Sequence, residues 1–314
     1  MSPRVSVIVL NWNGKAFLGE CLESLAKQTY QNFETVVVDN GSTDDSQDYV
    51  RSHFPNVRLI ELPENLGFCG GNNQGYKYVE SEYIALLNND TICVPEWLES
   101  LCNALENYPE AGFAASKLVY YDKPEIIDSA GDTFSTYGIG RKRGHQCQDG
   151  DQYNQEKFIF GACGGAVLYR KTMLEEIGFL DDDFFLIYED IDLSFRAQLA
   201  GWKCVYVPQA KVLHRVSASL SKTPNKQIYF SKRNSLWVLI KNMPTPLLLK
   251  FSIFILAYHL ASDLKWMAKG YTSSIFQGHL DVLRTWQQVM KKRKTIQSMR
   301  KVSISELEKI ITTT

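Results

Sequence analysis

The apolar run at residues 83–87 ends abruptly in Asn88-Asn89-Asp90, and this junction limits the possible folds more than any other stretch. Five apolar residues are too few for a globular helix but suit a strand that is buried on both faces. Ligands bind at the carboxyl ends of such strands in open α/β sheets, so Asn89 and Asp90 lie where a metal or a phosphate would bind. The structural alternative is that Asp90 or Thr91 caps a following helix.

Three earlier stretches show the same succession of strand, polar turn and helix. A β-branched run at residues 5–10 ends in Asn11-Trp12-Asn13-Gly14, and a second run at residues 33–38 ends in Asp39. A third short strand is predicted at residues 57–62. Four such units predict a doubly wound, mostly parallel α/β sheet with helices on both faces. Because the strand ends share one edge, we expect Asp39 and Asp90 to converge, which argues against a simple helix cap.

The stretch at residues 67–73 is rich in glycine and follows the third strand. Bare backbone there would let a diphosphate approach closely, whereas the structural alternative is a loop that needs positive φ angles. It lacks both the G-x-G-x-x-G pattern and the G-K-[ST] of a P-loop. It also has no Lys or Arg, which disfavours a nucleotidyltransferase that must hold a triphosphate.

The middle of the chain is harder to interpret. We predict a helix at about residues 95–107, a strand at 112–119 and an apolar strand at 158–169 with a narrow waist of small residues. Residues 120–155 give no clear periodicity. They include the basic run Arg141-Lys142-Arg143-Gly144-His145, which suits either a mobile substrate loop or a simple meander.

A second acidic cluster contains Glu189, Asp190 and Asp192 at the start of a predicted helix that ends at Gly201. The helix dipole alone favours carboxylates in a first turn. The functional alternative is a general base, which stays ionised there and accepts a proton from a hydroxyl. Further on, His214 ends an apolar run; a lone histidine is often structural, but with Asp90 it would suit Mg²⁺ or Mn²⁺ if phosphates supplied the other oxygens.

Charge divides the chain unevenly, although the formal net charge is only −1. Residues 1–221 contain 18 basic and 31 acidic side chains, whereas residues 222–314 contain 16 and 4. We therefore expect the basic segment to face an anionic membrane surface, with a solvated face second and nucleic acid third, because stacking aromatics are not interleaved with the basic residues. The apolar run at residues 247–261 is too short to span a bilayer, which needs about 20 residues. An interfacial helix or a packing contact remains.

Cysteine usage indicates the compartment. The seven cysteines form no C-x-x-C pair and are odd in number, so neither a disulfide framework nor a zinc ribbon is expected. Reduced thiols and the absence of an apolar leader before residue 5 predict a cytoplasmic protein.

Several motifs resemble the inverting glycosyltransferase family 2 and, within it, the rhamnosyltransferase-like branch. They span about residues 5–219 in the family's order, as follows: VSVIVLNWNG, CLESLAKQTY, FETVVVDNGSTDDS, ENLGFCGGNNQG, YIALLNNDT, FFLIYEDIDLSFRAQLAGWKCVYVP and VLHRVSAS. The resemblance implies a GT-A fold at residues 1–221, a nucleotide-sugar donor and a divalent metal, Mg²⁺ or Mn²⁺. Residues 222–314 would form a helical, basic extension.

The resemblance also implies roles for residues that bind the donor. Asp39 would recognise the nucleotide base, with Asn11 and Asn13 nearby. The residues that would line the nucleotide-sugar are Asn65, Gly67, Gly71, Asn72 and Asn89.

The same resemblance implies the metal ligands and the base. Asn88-Asn89-Asp90 stands in place of the D-x-D motif and departs from it at the first position, so Asp90 is the only carboxylate ligand there. His214 would join the metal. Asp190 would be the catalytic base, with Glu189 beside it.

Together these interpretations predict an inverting glycosyltransferase, peripheral at the inner face of the cell membrane, that acts in cell-surface polysaccharide synthesis. The branch suggests dTDP-rhamnose as donor and a glycan or polyprenyl-linked acceptor. A UDP-sugar donor, a catalytically silent sugar-nucleotide or membrane-binding module, and a homo-oligomer stay open as alternatives. A dinucleotide oxidoreductase is disfavoured because Asn11-Trp12-Asn13-Gly14 lacks the required glycines.

Overall fold

A computed structural model of the chain describes residues 3–216 and 223–312. Its first part alternates strands and helices, as the periodicity predicts. The elements are β1 (Val5–Asn11), α1 (Lys15–Ala26), β2 (Phe33–Asp39), α2 (Ser46–His53), β3 (Arg58–Glu61), α3 (Gly67–Tyr76) and β4 (Tyr83–Asn88).

The middle part adds the remaining strands of the main sheet. They are β5 (Thr91–Cys93), α4 (Trp97–Asn107), β6 (Ala111–Tyr120), β7 (Ile127–Ser129), β8 (Asp132–Ser135), β9 (Gly140–Lys142), β10 (Lys157–Ile159), β11 (Ala166–Arg170), α5 (Lys171–Ile177), α6 (Glu189–Leu199) and β12 (Lys203–His214). The last part is mostly helical, with α7 (Pro224–Asn242), α8 (Thr245–Met267), α9 (Thr272–Arg284), α10 (Trp286–Ser298), α11 (Ile304–Ile310) and β13 (Ile311–Thr312).

The main sheet runs in the order β10-β12-β6-β11-β4-β1-β2-β3. Strands β3, β2, β1 and β4 are parallel, which confirms the predicted doubly wound half. Strand β11 is antiparallel to both β4 and β6 and joins this half to a mixed half. A small second sheet, β13-β8-β9, lies beside the main one.

Two hydrophobic clusters cover the two faces of the main sheet. Alternate residues of β1 point to opposite faces, so Val7 belongs to one cluster and Ile8 to the other. The cluster around Val7 is closed by α1 and α4, with Trp97 fully buried. The other cluster extends to Trp237 in the C-terminal helices, so these helices share a core with the sheet.

Several predicted elements have different limits in the structure. The predicted strand at 158–169 is two strands, β10 and β11, because the small-residue waist leaves the sheet between them. Residues 120–155 contain β7, β8 and β9, whose short strands give too little periodicity to detect. The glycine-rich stretch at 67–73 is the start of α3 and not a loop. The predicted domain limit between residues 221 and 222 lies outside the described residues.

Helix α8 is longer than the predicted apolar run. It covers 23 residues, and among the described residues it alone is long and apolar enough to cross a membrane. The expectation that this segment is too short to span was therefore wrong, because the helix continues through less apolar residues to Met267. Length and composition do not distinguish a spanning helix from one that lies on a surface.

Candidate active site

The polar ends of β1, β2 and β4 meet at one edge of the sheet. Asn11 Nδ2 donates to Asp39 Oδ2 at 3.0 Å, and Asn89 Nδ2 donates to Asn11 Oδ1 at 2.7 Å. A side chain on Gly14 would collide with Asn89, since its Cβ would lie 2.0 Å from Nδ2. The expected convergence of the strand ends is confirmed, with Asn11 as the link between them.

Asp39 is held as a hydrogen-bond acceptor. Its Oδ1 accepts from the backbone N–H of Ser42 at 2.9 Å and from Gln47 Nε2 at 2.8 Å, and the residue is almost fully buried. Asn13 contributes from the β1 turn, where its Oδ1 accepts from the N–H of Thr43 at 2.7 Å. These contacts fix the loops after β1 and β2 to each other.

Asn65 and Gly67 shape the entry into α3. Asn65 Oδ1 accepts from Asn40 Nδ2 at 3.0 Å and from the N–H of Gly67 at 2.8 Å. Gly67 has a φ of +75°, and a Cβ there would lie 2.5 Å from the carbonyl oxygen of Phe185. Glycine is therefore required both by the backbone conformation and by the approach of the loop before Asp190.

Gly71 and Asn72 lie within α3 and face the protein. A Cβ on Gly71 would lie 2.4 Å from Leu10 Cδ1, so this glycine lets α3 pack against the end of β1. Asn72 is buried and its Nδ2 donates to the carbonyl of Phe68 at 2.9 Å. Both residues therefore fix the position of α3 next to the strand ends.

Asp90 and His214 lie side by side. Strand β5 pairs antiparallel with the end of β12, and His214 is opposite Thr91 in that pairing. As a result His214 Nε2 is 3.3 Å from Asp90 Oδ1, and both side chains are nearly buried. A carboxylate oxygen and an imidazole nitrogen fit Mn²⁺ or Mg²⁺ when other oxygens complete the shell. No group of three or more metal-ligating side chains occurs in residues 3–216 and 223–312. Such a metal would therefore need oxygen atoms from a bound diphosphate to complete its coordination.

Asp128 on β7 is a further polar residue at this place, and sequence reasoning missed it. Its Oδ2 is 2.8 Å from His214 Nδ1, and its Oδ1 is 2.8 Å from Lys142 Nζ. Burial raises the pKa of Asp128, but the His214 hydrogen bond and the Lys142 charge outweigh it and lower the pKa to about 2. Burial lowers the pKa of His214, but hydrogen bonds to Asp128 and Asp90 raise it to about 9. Asp128 therefore accepts the Nδ1 proton and leaves Nε2 directed at Asp90.

Asp190 is the second residue of α6 and is positioned by backbone donors. Its Oδ1 accepts from the N–H of Ile191 at 2.8 Å, and its Oδ2 accepts from the N–H of Gly164 at 3.2 Å. Burial raises the pKa of Asp190, although these two hydrogen bonds oppose the shift. A raised pKa makes the carboxylate a stronger base.

Two other carboxyl groups lie in the electrostatic neighbourhood of Asp190. Burial raises the pKa of Glu189 well above its ordinary value, and the charge of Asp190 adds to the shift. The same two causes raise the pKa of Asp132. Glu189 Oε2 and Asp132 Oδ2 are buried and make no hydrogen bond with any described residue. Asp132 gave no sequence signal because it lies in the segment without periodicity.

The small residues between β10 and β11 connect the candidate base to the end of β4. The N–H of Gly164 binds Asp190, while the carbonyl of Gly165 accepts from the N–H of Asn88 at 2.9 Å. A Cβ on Gly165 would lie 3.2 Å from the Asn88 side chain. The predicted close approach at the waist is therefore observed, and it brings the candidate base and the candidate metal ligands to the same edge.

The loop before Asp190 is strained and is held by α7. Phe185, Ile187 and Tyr188 all have positive φ angles, of 63°, 68° and 75°, which are costly for bulky side chains. Asn234 is fully buried, and its Nδ2 lies 2.7 to 3.1 Å from three carbonyl oxygens of this loop, those of Phe184, Leu186 and Ile187. The C-terminal segment thus positions the start of α6.

Comparison with known proteins agrees with this geometry. The family model described as Glycosyl transferase family 2 matches residues 6–178. The chain is 25% identical over 279 residues to the N-acetylglucosaminyl-diphospho-decaprenol L-rhamnosyltransferase of Mycobacterium tuberculosis, a match that covers 76% of this chain and 87% of that one.

Solved structures share the fold. The mannosyltransferase PcManGT from Pyrobaculum calidifontis, in complex with GDP-Man and Mn²⁺, has a TM-score of 0.56 at 17% identity, covering 94% of this chain and 86% of that one. GalNAc-T7 with UDP, GalNAc and Mn²⁺ has a TM-score of 0.59 at 15% identity, covering 76% of this chain and 48% of that one. The GT-A fold predicted from the sequence is confirmed.

Proposed function

The chain belongs to glycosyltransferase family 2, and we propose that it transfers a sugar from a nucleoside-diphosphate sugar to an acceptor hydroxyl with inversion at the anomeric carbon. The observation that most supports this reaction is the position of Asp190 across Gly164 and Gly165 from the strand end that bears Asp90. A single displacement needs these two functions on the same edge: one that binds the leaving diphosphate and one that takes the acceptor's proton. No enzyme nucleophile is required.

Asp190 is the proposed general base. Its carboxylate is fixed by two backbone N–H groups, and burial raises its pKa, so it accepts the hydroxyl proton as the new bond forms. Glu189 lies beside it, and burial together with the charge of Asp190 raises the pKa of Glu189 well above its ordinary value.

Asp90 and His214 are the proposed protein ligands of Mg²⁺ or Mn²⁺, and Asp128 is the proposed positioning residue behind His214. Asp90 and His214 would hold the ion, which would supply charge stabilisation for the leaving diphosphate. The raised pKa of His214 means that its Nε2 must lose a proton before it can act as a ligand. Asp128 keeps the ring in the orientation that this requires.

The donor site is proposed at the ends of β1 and β2. Asp39 with Asn11 and Asn13 would contact the nucleoside. Asn65, Gly67, Gly71, Asn72 and Asn89 would form the wall around the diphosphate-sugar, Gly71 and Asn72 through backbone positioning. The similarity to a named L-rhamnosyltransferase supports dTDP-rhamnose as the donor, and a UDP-sugar is the competing candidate.

The acceptor is proposed to be a lipid-linked sugar at the inner face of the cell membrane. The mycobacterial relative is named for an N-acetylglucosaminyl-diphospho-decaprenol acceptor, and residues 222–314 of this chain are strongly basic. A peripheral enzyme with a basic face would concentrate at a membrane that contains such an anionic substrate. The product would enter cell-surface polysaccharide synthesis.

Calorimetric titration with dTDP-rhamnose and a panel of UDP-sugars tests the donor and the metal together. Each titration is run with Mn²⁺, with Mg²⁺ and with EDTA, on the wild type and on Asp90→Ala. We expect one donor to bind only with metal and to lose its affinity in the variant. Binding of no donor in any condition would contradict the proposed activity and favour a silent module.

A further inference from the structure

The basic run at residues 141–145 lies near the candidate base. Some of its side chains pair with other residues of the protein, and one does not pair with a carboxylate. Lys142 binds Asp128, and the Arg143 guanidinium lies 4.9 Å from the Tyr206 ring centroid. His145 Nδ1 is 3.0 Å from the carbonyl of Asp128. Arg141 differs, because it is exposed and no carboxylate of the described residues lies within ion-pair distance of it.

Arg141 faces helix α8. Its guanidinium carbon lies 5.6 Å from the ring centroid of Tyr258, and its Nη2 is 3.4 Å from the Tyr258 hydroxyl. Tyr137, from the turn between β8 and β9, contacts the same surface, with its ring 5.7 Å from Tyr258 and 6.3 Å from Phe254. A cation and three aromatic rings therefore form one surface where the small sheet meets α8.

This surface is close to the candidate base. A Cβ on Gly140, the residue before Arg141, would lie 2.6 Å from Ile191, the residue after Asp190. Burial raises the pKa of Tyr188. The charges of Tyr258 and Asp190 add to this shift, whereas the charge of Arg141 opposes it. Tyr188 therefore lies within electrostatic reach of both Arg141 and Asp190.

The face of α8 that points away from Tyr258 is apolar and uncovered, and Phe254, which is 53% exposed, lies between that face and Tyr258. Leu249, Ile253, Leu256, Leu260 and Leu264 follow at intervals of three or four residues and are 57–79% exposed. The opposite face is also apolar and packs on the protein through Leu247, Phe251 and Ile255, so the exposed stripe suits contact with hydrocarbon. Lys265 and Lys269 are exposed at its C-terminal end.

We propose that this region binds the isoprenoid diphosphate end of the acceptor, with the diphosphate on Arg141 and the hydrocarbon chain running past Tyr137 and Phe254 onto the α8 stripe. Each part of such a substrate has a counterpart in the protein: Asp190 for the sugar hydroxyl, Arg141 for the diphosphate and the apolar stripe of α8 for the lipid. The assignment rests on the proposed function, since the acceptor is taken to be lipid-linked. It adds a site to that function, because none of the donor or metal residues takes part.

The test uses the full chain and vesicles of phosphatidylcholine that contain either farnesyl diphosphate, farnesol or phosphatidylglycerol. We expect farnesyl diphosphate vesicles to bind about tenfold more tightly than farnesol vesicles, the effect of a charge-assisted contact. Arg141→Gln should remove that difference. Arg58→Gln is the matched control, because Arg58 also lies 5.6 Å from a tyrosine ring, that of Tyr78, but on β3 at the other end of the sheet.

The apolar part is tested with Leu256→Ser against Leu283→Ser in α9, whose side chains are 69% and 68% exposed. Only Leu256→Ser should weaken binding to farnesyl diphosphate and farnesol vesicles alike. Equal losses in both variants would overturn the assignment to α8. Binding that follows phosphatidylglycerol alone would also overturn the proposal, as would a sedimentation coefficient of a dimer that Leu256→Ser changes to that of a monomer.

Failure of this inference is distinguishable from failure of the proposed function. Vesicle binding requires neither donor nor chemistry, and donor titrations on Arg141→Gln report on the other half of the site. Donor binding retained in Arg141→Gln, with the diphosphate preference lost, is the expected pair of results. Donor binding without any diphosphate preference in the wild type would overturn the acceptor site and leave the proposed transferase activity intact.

Discussion

His214 is held between two carboxylates, with Nδ1 2.8 Å from Asp128 Oδ2 and Nε2 3.3 Å from Asp90 Oδ1. The ring therefore has one nitrogen tied to the protein interior and one directed at the proposed metal ligand. This arrangement joins β7, the turn after β4 and the end of β12, which are far apart in sequence.

Asp128→Asn should weaken Mn²⁺ binding by about tenfold or more, because the ring loses the charged acceptor that fixes its orientation. The measurement is the Mn²⁺ electron paramagnetic resonance signal during titration in the presence of UDP or dTDP, which needs no turnover. Asp149→Asn serves as control, since Asp149 pairs with Lys117 at 2.9 Å and touches neither metal ligand. Unchanged Mn²⁺ affinity in Asp128→Asn would remove Asp128 from the positioning role.

Asp190→Asn should lower kcat by about 10²–10⁴-fold while donor affinity is nearly retained, because the amide cannot accept the proton. Glu189→Gln should lower kcat less, since Glu189 Oε2 makes no hydrogen bond with any described residue and the amide has nearly the same shape. Transfer rates and calorimetric donor affinities are measured on both variants. Substantial transfer by Asp190→Asn would show that another group takes the proton.

Asn234→Ala should destabilise the fold by about 1–3 kcal/mol, because buried carbonyl groups lose their donor. It should also lower kcat, since the strained loop that precedes Asp190 is released. Asn242→Ala is the matched control: Asn242 is also buried on α7, but its Nδ2 donates to Asp192 at 2.8 Å and not to that loop. Urea unfolding and kcat are measured on both variants, and equal kcat losses would argue that general destabilisation is the cause.

The C-terminal helices should lose stability as the pH falls below about 6.5. Burial lowers the pKa of His259 to about 4. The charges of Lys232 and His279 lower this pKa further, and the charge of Asp263 opposes them. At a pH between the folded-state pKa of about 4 and the ordinary pKa of about 6.5, His259 binds a proton in the unfolded chain but not in the folded one. A fall in pH through this range therefore favours unfolding. From about pH 7 to about pH 5 the loss should be about 2 kcal/mol.

Urea unfolding at several pH values checks this expectation. His259→Asn removes the titrating group and should show a clearly smaller loss over the same range. A pH dependence identical to that of the wild type would assign the effect to other groups.

The parallel half of the sheet was predictable because each strand is a short apolar run with a polar end. The tips at Asn11, Asp39 and Asn89 converge as expected, since parallel strands end at the same edge of the sheet. The candidate pair Asp90 and His214 was also predicted, and the structure brings them together. Their catalytic and binding roles stay predictions.

Other features depend on contacts between residues distant in sequence and were not predictable in this way. Asp128 lies on a three-residue strand, and its partner His214 is 86 positions away. Asn234 looks like an ordinary polar residue of a helix, and only the fold shows that it binds the loop before Asp190. The glycines of α3 had two interpretations in the sequence, backbone open to a diphosphate or a loop with positive φ angles. In the structure they begin a helix, Gly67 has a φ of +75°, and close packing against Leu10 and Phe185 requires glycine.

The hydrogen bonds from Asn234 to the loop before Asp190 limit which segments of this enzyme can be exchanged with those of its relatives. A chimera that takes the nucleotide-sugar half from one protein and the C-terminal helices from another must keep residues 224–242 with the half that carries Asp190. A crossover after Asn242 preserves the three carbonyl contacts. A crossover before Pro224 would leave them to a foreign helix, so α7 should stay with the half that carries Asp190 when the helices after it are exchanged.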